Sequence, residues 1–475
     1  MSEELTDDEK KFLKVRAEKI ERMRRIRKAR KKSKRRKWSE AMKKNKPFRA
    51  LASDIQNYSD IVTRFMPKNL AYLISYDKSP VHMEWIEMSP SSSVKIVRLP
   101  EVFSILENPK GSYERIREIV EALVEQKCRT LWIDYGKCLQ SDLVTQLFLD
   151  TILRDWIIFE KQCLKAGLGR YMKIESVGGR NYDNVRIQKM VDSVGSPAII
   201  LNKQTEDASI VPFKLRYMDR DDEDVSKSGT NNEVDLTRLL DYVSSCLERV
   251  GKRLTPEAMD ALGIAAGEMV INASEHSTLH SRYLVGYFED LSYDGDENTH
   301  GLLHLVILNY GQSIYECFKY PSDPDKINTE AVRQMKQLSD EYTTKGFFSA
   351  DRMKESTLWT LYALQDGVTI VPDQKRGSGT ISFIRNFFNL RESDDDNDSR
   401  MYIMSGNTVV VFDGKYEPTL IADSDGTNRF VMAFNESGTL KEKPDPEYVR
   451  YTRYFFPGTA IYAKIALNTK ILTDE

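Results

Sequence analysis

Gly267-Glu268-Met269-Val270-Ile271-Asn272-Ala273-Ser274-Glu275-His276-Ser277 is the stretch that decides how this chain is read. It lies in a helix that the sequence opens with Thr255 as N-cap and Pro256 at the first helical position. Glu268, Asn272 and His276 recur every four residues. At about 100° per residue they drift by only about 80° over two steps and share one face. Met269, Val270 and Ile271 lie between them and supply a core-facing side. A polar ridge on an otherwise apolar helix is costly to bury without partners, so it is expected to line a cavity.

Downstream, three further segments extend the pattern. Gly301-Leu-Leu-His-Leu-Val-Ile-Leu308 reads as a strand running into Asn309-Tyr-Gly311-Gln-Ser313-Ile314. A segment from Leu364 ends in Lys375-Arg376-Gly377-Ser378-Gly379-Thr380, and Ile381 to Leu390 then reads as a helix. Glycines opening onto a helix N-terminus offer backbone N–H groups to an anion, and Lys375 and Arg376 add charge. Met401 to Phe412 reads as a strand pair around a Ser405-Gly406-Asn407 turn, and Phe456 to Leu467 as a closing strand with Gly458-Thr459 near its start.

In this order the segments resemble the nucleotide-binding domain of the GHKL ATPases, the superfamily of gyrases, large chaperones, histidine kinases and anti-sigma-factor kinases. Glu268-x-x-x-Asn272-Ala273-x-x-His276 is similar to its N-box. The resemblance implies ATP and Mg²⁺ as cofactors, Asn272 as the magnesium ligand and Glu268 as the base that polarises the attacking water. It implies nucleotide contacts from Asn272, His276, Asn309, Gly311, Lys375, Arg376, Gly377, Gly379 and Thr380, with Asn309 and Gly311 at adenine. It also implies a lid over about 321–374, a mixed sheet with a helical layer, and slow hydrolysis coupled to conformational gating. Two residues depart from the pattern: Asn309 stands for the family's Asp, and Ser313 for its second Gly. An Asn carbonyl oxygen still accepts a hydrogen bond.

Upstream, residues 60–203 alternate strand and helix patterns, giving an α/β domain. Val94 to Pro100, Thr130 to Asp134 and Ser196 to Leu201 read as strands, Tyr113 to Gln126 and Asp142 to Glu160 as helices. Thr130-Leu-Trp-Ile-Asp134 with the loop to Ser141-Asp142 resembles the central element of STAS domains, without that family's Asp-Ser-Ser-Gly turn. A phospho-switch at Ser141 competes there with simple capping by Asp134 and Ser141. Residues 204–234, with Asp219-Arg-Asp-Asp-Glu-Asp at their centre, read as a linker, and 235–470 as the GHKL domain. The fold class expected is thus multi-domain α/β and α+β, a STAS-like α/β domain followed by a GHKL-type two-layer sandwich.

Charge is divided unevenly. Residues 1–50 carry 21 Lys/Arg and 8 Asp/Glu, so a net charge of −2 over 475 residues hides a +13 arm on a −15 remainder. This helical or disordered arm points to nucleic acid or an anionic surface through residues 10–49. No apolar run of about 18 residues exists for a membrane span. The polar, acidic start lacks a signal-peptide core, so a cytoplasmic chain is expected. Cys128, Cys138, Cys163, Cys246 and Cys317 show no metal or disulfide spacing and are expected as buried thiols.

Other chemistries fit less well. His276-Ser-Thr-Leu-His280 has zinc-protease spacing, but Ser277 stands where the Glu belongs. Asp394-Asp-Asp-Asn-Asp398 lacks the Gly and Glu of a calcium loop. The resemblance leaves three readings open: an ATPase, with a homodimer or another protein as its partner; a serine protein kinase of the anti-sigma type acting on a STAS domain; and a non-catalytic nucleotide-binding scaffold whose arm carries the function. A histidine kinase is disfavoured, since His82 is the only His before residue 276.

Overall fold

The computed structural model describes residues 55, 57–89, 92–201, 207–219, 225–249, 251–275, 277–291, 299–321, 328–344, 353–365, 368, 380–381, 384–385, 399–422, 428–468 and 472–474. The arm at 1–50 and the acidic run at 394–398 lie outside them.

A helical pair, α1 (Tyr58–Phe65) and α2 (Lys68–Ser75), precedes β1 (Ser92–Arg98), α3 (Pro109–Val124), β2 (Cys128–Asp134), α4 (Leu143–Lys165) and β3 (Ser176–Arg180). Asn57 closes a capping box on α1, while Asn108 and Asp142 cap α3 and α4. The three strands pair in parallel in the order β1-β2-β3, as helical crossovers require. Next come α5 (Val185–Val194) and α6 (Ser196–Leu201). The Ser196–Leu201 segment, expected as a strand, is therefore a helix; Pro197 sits in its first turn and the Ala198 and Ile199 amides donate to Gly195 O.

The second half contains β4 (Ile210–Asp219), α7 (Val225–Arg249), α8 (Pro256–Glu275), β5 (Ser281–Asp290), β6 (Thr299–Tyr310), α9 (Ile314–Lys319), α10 (Thr329–Thr344), α11 (Glu355–Ala363), β7 (Arg400–Phe412) and β8 (Val449–Asn468). Their five strands form one sheet in the order β7-β8-β6-β5-β4. Every pairing in it is antiparallel, not the mixture expected.

Two more expectations are corrected. The 204–234 linker contains β4 and the start of α7. Ile210 to Met218 is β-capable despite its charged neighbours, and Pro212 is tolerated because the strand is at the sheet edge. The supposed 401–412 strand pair is one strand, bulged at Gly406, which takes φ +56°. The segment expected as a lid includes two helices packed on each other, α10 and α11: Trp359 is buried and donates through Nε1 to Ser339 Oγ at 2.9 Å.

The halves share a core. Val306, Leu308 and Tyr310 of β6 join a cluster with Leu147, Phe148 and Ile152 of α4, whereas Leu303, Leu305 and Ile307 join Met269 and Val270 of α8. Strand alternation thus sends successive β6 residues into different helical layers. Helix α4 lies between the two sheets and is buried on nearly all sides over Leu143–Leu153, which explains its lack of a polar face. All five cysteines are buried free thiols. Among the described residues no helix is long and apolar enough to cross a membrane.

Candidate functional site

Helix α8 forms as its signals require. Thr255 Oγ1 accepts from the Ala258 amide at 3.3 Å, and Leu262, Ala266, Met269, Val270 and Ala273 turn into the core. Glu268 and Asn272, one turn apart, are half-buried on the remaining face. Glu268 is engaged by a partner within the protein. Asn272 Nδ2 donates to Thr380 Oγ1 at 3.3 Å, which joins the polar ridge to the residue that follows the glycine segment, 108 positions away. His276, Lys375, Arg376, Gly377 and Gly379 lie outside the described residues.

Asn309 is buried, and alternation along β6 puts it on the α8 side with Ile307. Its register partner on β8 is Thr459, whose own partner on β7 is Ser405. Ser405 Oγ lies 2.8 Å from Thr459 Oγ1 and accepts from the Ile314 amide at 2.8 Å. On the other side, the Tyr283↔Leu308 pairing sets Arg282 opposite Asn309 one step further along. A polar row of Arg282, Asn309, Thr459 and Ser405 therefore crosses the sheet beneath the helical layer. Of the row, only Asn309 carries a signal in the sequence; strand register alone brings Arg282, Thr459 and Ser405 into line with it.

Arg282 is wholly buried and was not singled out from the sequence. It donates through Nε to Ser274 Oγ at 2.9 Å and through Nη2 to Asp235 at 2.8 Å, while Arg216 binds the second Asp235 oxygen at 2.9 Å. Burial lowers the Arg282 pKa and Asp235 opposes that change. The carboxylate offsets part of the cost of burying the guanidinium, and the pair ties the last turn of α8 to β5 and α7.

Beyond the helix, the 277–281 turn and the 309–313 loop are joined. Ser277 Oγ donates to Ser281 O at 3.0 Å, and the Gln312 amide donates to Thr278 Oγ1 at 3.0 Å. Gly311 holds φ +128°, and a Cβ there would fall 2.1 Å from Thr278 Oγ1. Its amide donates to Pro457 O and its carbonyl accepts from Tyr72 Oη at 2.9 Å. The backbone groups of Gly311 thus serve loop packing, so the glycine is required by close approach within the protein. His280, the second histidine of the protease-like spacing, is exposed in the turn.

The first half places its singled-out residues differently. Asp134 accepts from Arg180 Nη2 at 2.9 Å, Asn181 Nδ2 at 3.0 Å and the Gly136 amide at 3.1 Å. Burial pushes its pKa up, but these donors outweigh it and hold the carboxyl below its ordinary range. Asp142, not Ser141, caps α4. Ser141 Oγ is buried and without a hydrogen-bond partner. These residues are remote from α8 in the fold, at the carboxyl end of the parallel sheet. There Glu101, Val102, Glu107, Asn108 and Gln140 line a separate open cleft.

Against this geometry, comparison with protein-family descriptions, with curated proteins and with solved structures finds no match to the chain.

Proposed function

We propose that the second half is a GHKL-like ATP·Mg²⁺-binding domain with slow hydrolysis coupled to conformational gating, and that the first half is a STAS-like partner layer. The observation that carries this reading is the Asn272–Thr380 hydrogen bond, which brings the helix ridge to the residue following Gly377-Ser-Gly379. The arrangement suits a nucleotide: a half-buried carboxamide and carboxylate on one helix face, a polar row on the sheet below, and the Arg376-Gly-Ser-Gly379 segment that leads into Thr380.

Asn272 would hold the cation. Its nitrogen is directed to Thr380, and its carbonyl oxygen is the hard ligand that magnesium takes. Among the described residues no three His, Cys, Asp or Glu side chains form a metal cage, so the remaining ligands would be phosphate oxygens and water. Bound magnesium would neutralise phosphate charge. Glu268, one turn away, would hold a water and accept its proton. Asn309 and Thr459 would offer the row's acceptors and donors to a purine edge. Lys375, Arg376, Gly377, Gly379 and His276 complete the proposal from the sequence resemblance alone.

Calorimetric titration with ATP and Mg²⁺, paired with phosphate release, tests it. Wild type should bind, Asn272→Ala should lose about 100-fold or more in affinity, and Glu268→Ala should bind without turnover. Identical behaviour of all three proteins would remove the site. Labelled phosphate on the protein itself, without release, would convert the reading to a kinase.

A further inference from the structure

The loop that follows Asn309 is gripped from the opposite face of its sheet. Helix α2 lies across the halves: Asn69 Nδ2 donates to Tyr283 Oη at 2.6 Å, and Ser281 Oγ donates to Asn69 Oδ1 at 2.9 Å. From the same helix Tyr72 reaches Gly311 O at 2.9 Å. Just beyond its end, Tyr76 Oη and Lys78 Nζ both donate to Glu316 Oε1, at 2.6 and 2.7 Å.

Glu316 is the N3 residue of a capping box on α9. Its Oε2 accepts from the Ser313 amide and hydroxyl at 3.0 and 2.9 Å, and Ser313 Oγ accepts from the Glu316 amide. The carboxylate is nearly fully buried, and a buried charge persists only when paired and hydrogen-bonded. Lys78 supplies its cation. Ile314, which follows Ser313, donates to Ser405, which touches Thr459, the register partner of Asn309. A continuous run of hydrogen bonds and strand pairing therefore leads from Tyr76 and Lys78, through Glu316, Ser313, Ile314 and Ser405, to the polar row.

We propose that Tyr72, Tyr76 and Lys78 are positioning residues for the candidate nucleotide site, so that seating of α2 on the 311–316 loop sets nucleotide affinity. The inference rests on the ATP reading above. Its consequence is regulatory: anything that releases Tyr72, Tyr76 and Lys78 from the 311–316 segment also loosens the nucleotide loop, and bound nucleotide stabilises those contacts by the reciprocity of coupled equilibria.

The test uses the full chain, with ATP·Mg²⁺ as probe and hydrogen exchange read over residues 309–320. Tyr76→Phe combined with Lys78→Met should weaken ATP binding about tenfold or more and speed exchange in that segment. Lys78→Arg should stay close to wild type. Lys68→Met, which cuts the 2.6 Å Lys68–Asp219 pair at the far end of α2, controls for general loosening and should leave affinity unchanged. Wild-type affinity and exchange in the double variant would overturn the proposal, as would an equal loss in Lys68→Met. If the double variant fails to fold, Tyr72→Phe gives the same comparison with one hydrogen bond removed. If wild type binds no ATP, the nucleotide reading fails by itself. Exchange then decides the hold on the loop alone: unchanged protection over 309–320 overturns it, and faster exchange sustains it, while the effect on affinity falls with the nucleotide reading.

Discussion

The two faces of the five-stranded sheet are built on opposite principles. Toward α4 the sheet presents aromatics: Tyr283, Tyr310, Tyr287, His304 and Tyr462, in contact with Phe148 and with one another. Two of their polar tips are matched within the protein, Tyr310 Oη by Thr151 Oγ1 at 2.5 Å and Tyr462 Oη by His304 Nδ1 at 2.9 Å, while His304 Nε2 is buried without a hydrogen-bond partner. Toward α8 the end of the same strands carries Arg282, Asn309, Thr459 and Ser405. One residue's shift along β6, from Tyr310 to Asn309, passes from a dry seam to a polar floor. The seam face is apolar packing with few polar tips, whereas the α8 face carries a row of hydrogen-bonding groups, which the proposed function assigns to nucleotide.

The largest effect expected is at the seam. Phe148, fully buried among Tyr113, Tyr310 and Phe456, should cost about 3–5 kcal/mol on truncation to Ala. Denaturant unfolding followed separately in the two halves should still show one shared transition. Two separated transitions in wild type would break the claim that the halves share a core.

Gly311→Ala comes next, because this residue sits where the faces meet. The positive φ and the collision with Thr278 should cost about 1–3 kcal/mol and weaken ATP binding as well. A variant of unchanged melting temperature would contradict the packing described.

The pH profile sharpens the contrast further. Burial, with a smaller contribution from Lys464, lowers the His304 pKa to about 3. The unfolded chain then holds a proton that the folded chain lacks, so this stability is present above the unfolded value and is lost as pH falls toward 3. Burial raises Asp150 to about 7 against its bonds to Ser196 and Gln146. There the folded chain holds the extra proton, so the contribution is present at low pH and lost as pH rises through 7. Between about pH 4 and 6.5 the two slopes oppose, each at up to about 1.4 kcal/mol per pH unit. Relative to wild type, Asp150→Asn should gain stability with rising pH and His304→Phe should lose it. Parallel profiles would refute the assignment.

The smallest effect expected is Tyr283→Phe, which removes the hydroxyl bonded to Asn69. About 1 kcal/mol should be lost in chemical denaturation, with ATP affinity unchanged. An affinity loss there would extend the coupling beyond the 311–316 loop.

Much of this was legible in the sequence because it rests on local rules. The Thr255-Pro256 start of α8, the β1-α3-β2-α4 alternation and the 301–308 strand all follow from capping and periodicity. Each departure has its own cause. Ile210–Asp219 was masked by the charge that follows it, Ser196–Leu201 is too short and apolar for periodicity to separate helix from strand, and the bulge at Gly406 is defined by its partner strand. Arg282 and Thr459 carry no local signal of their roles, since each acquires its neighbours through strand register.

The sequence by itself determined the polar face of α8, its Glu268-Asn272 spacing and the division of charge between arm and remainder, because helix geometry and composition depend on near neighbours. Tertiary structure alone decided that α4 would cover the second face of the sheet. It also decided that Asn272 would meet Thr380, and that Tyr76 and Lys78 would bind Glu316 some 240 residues away. Those contacts depend on the burial of shared surfaces, which no local pattern encodes.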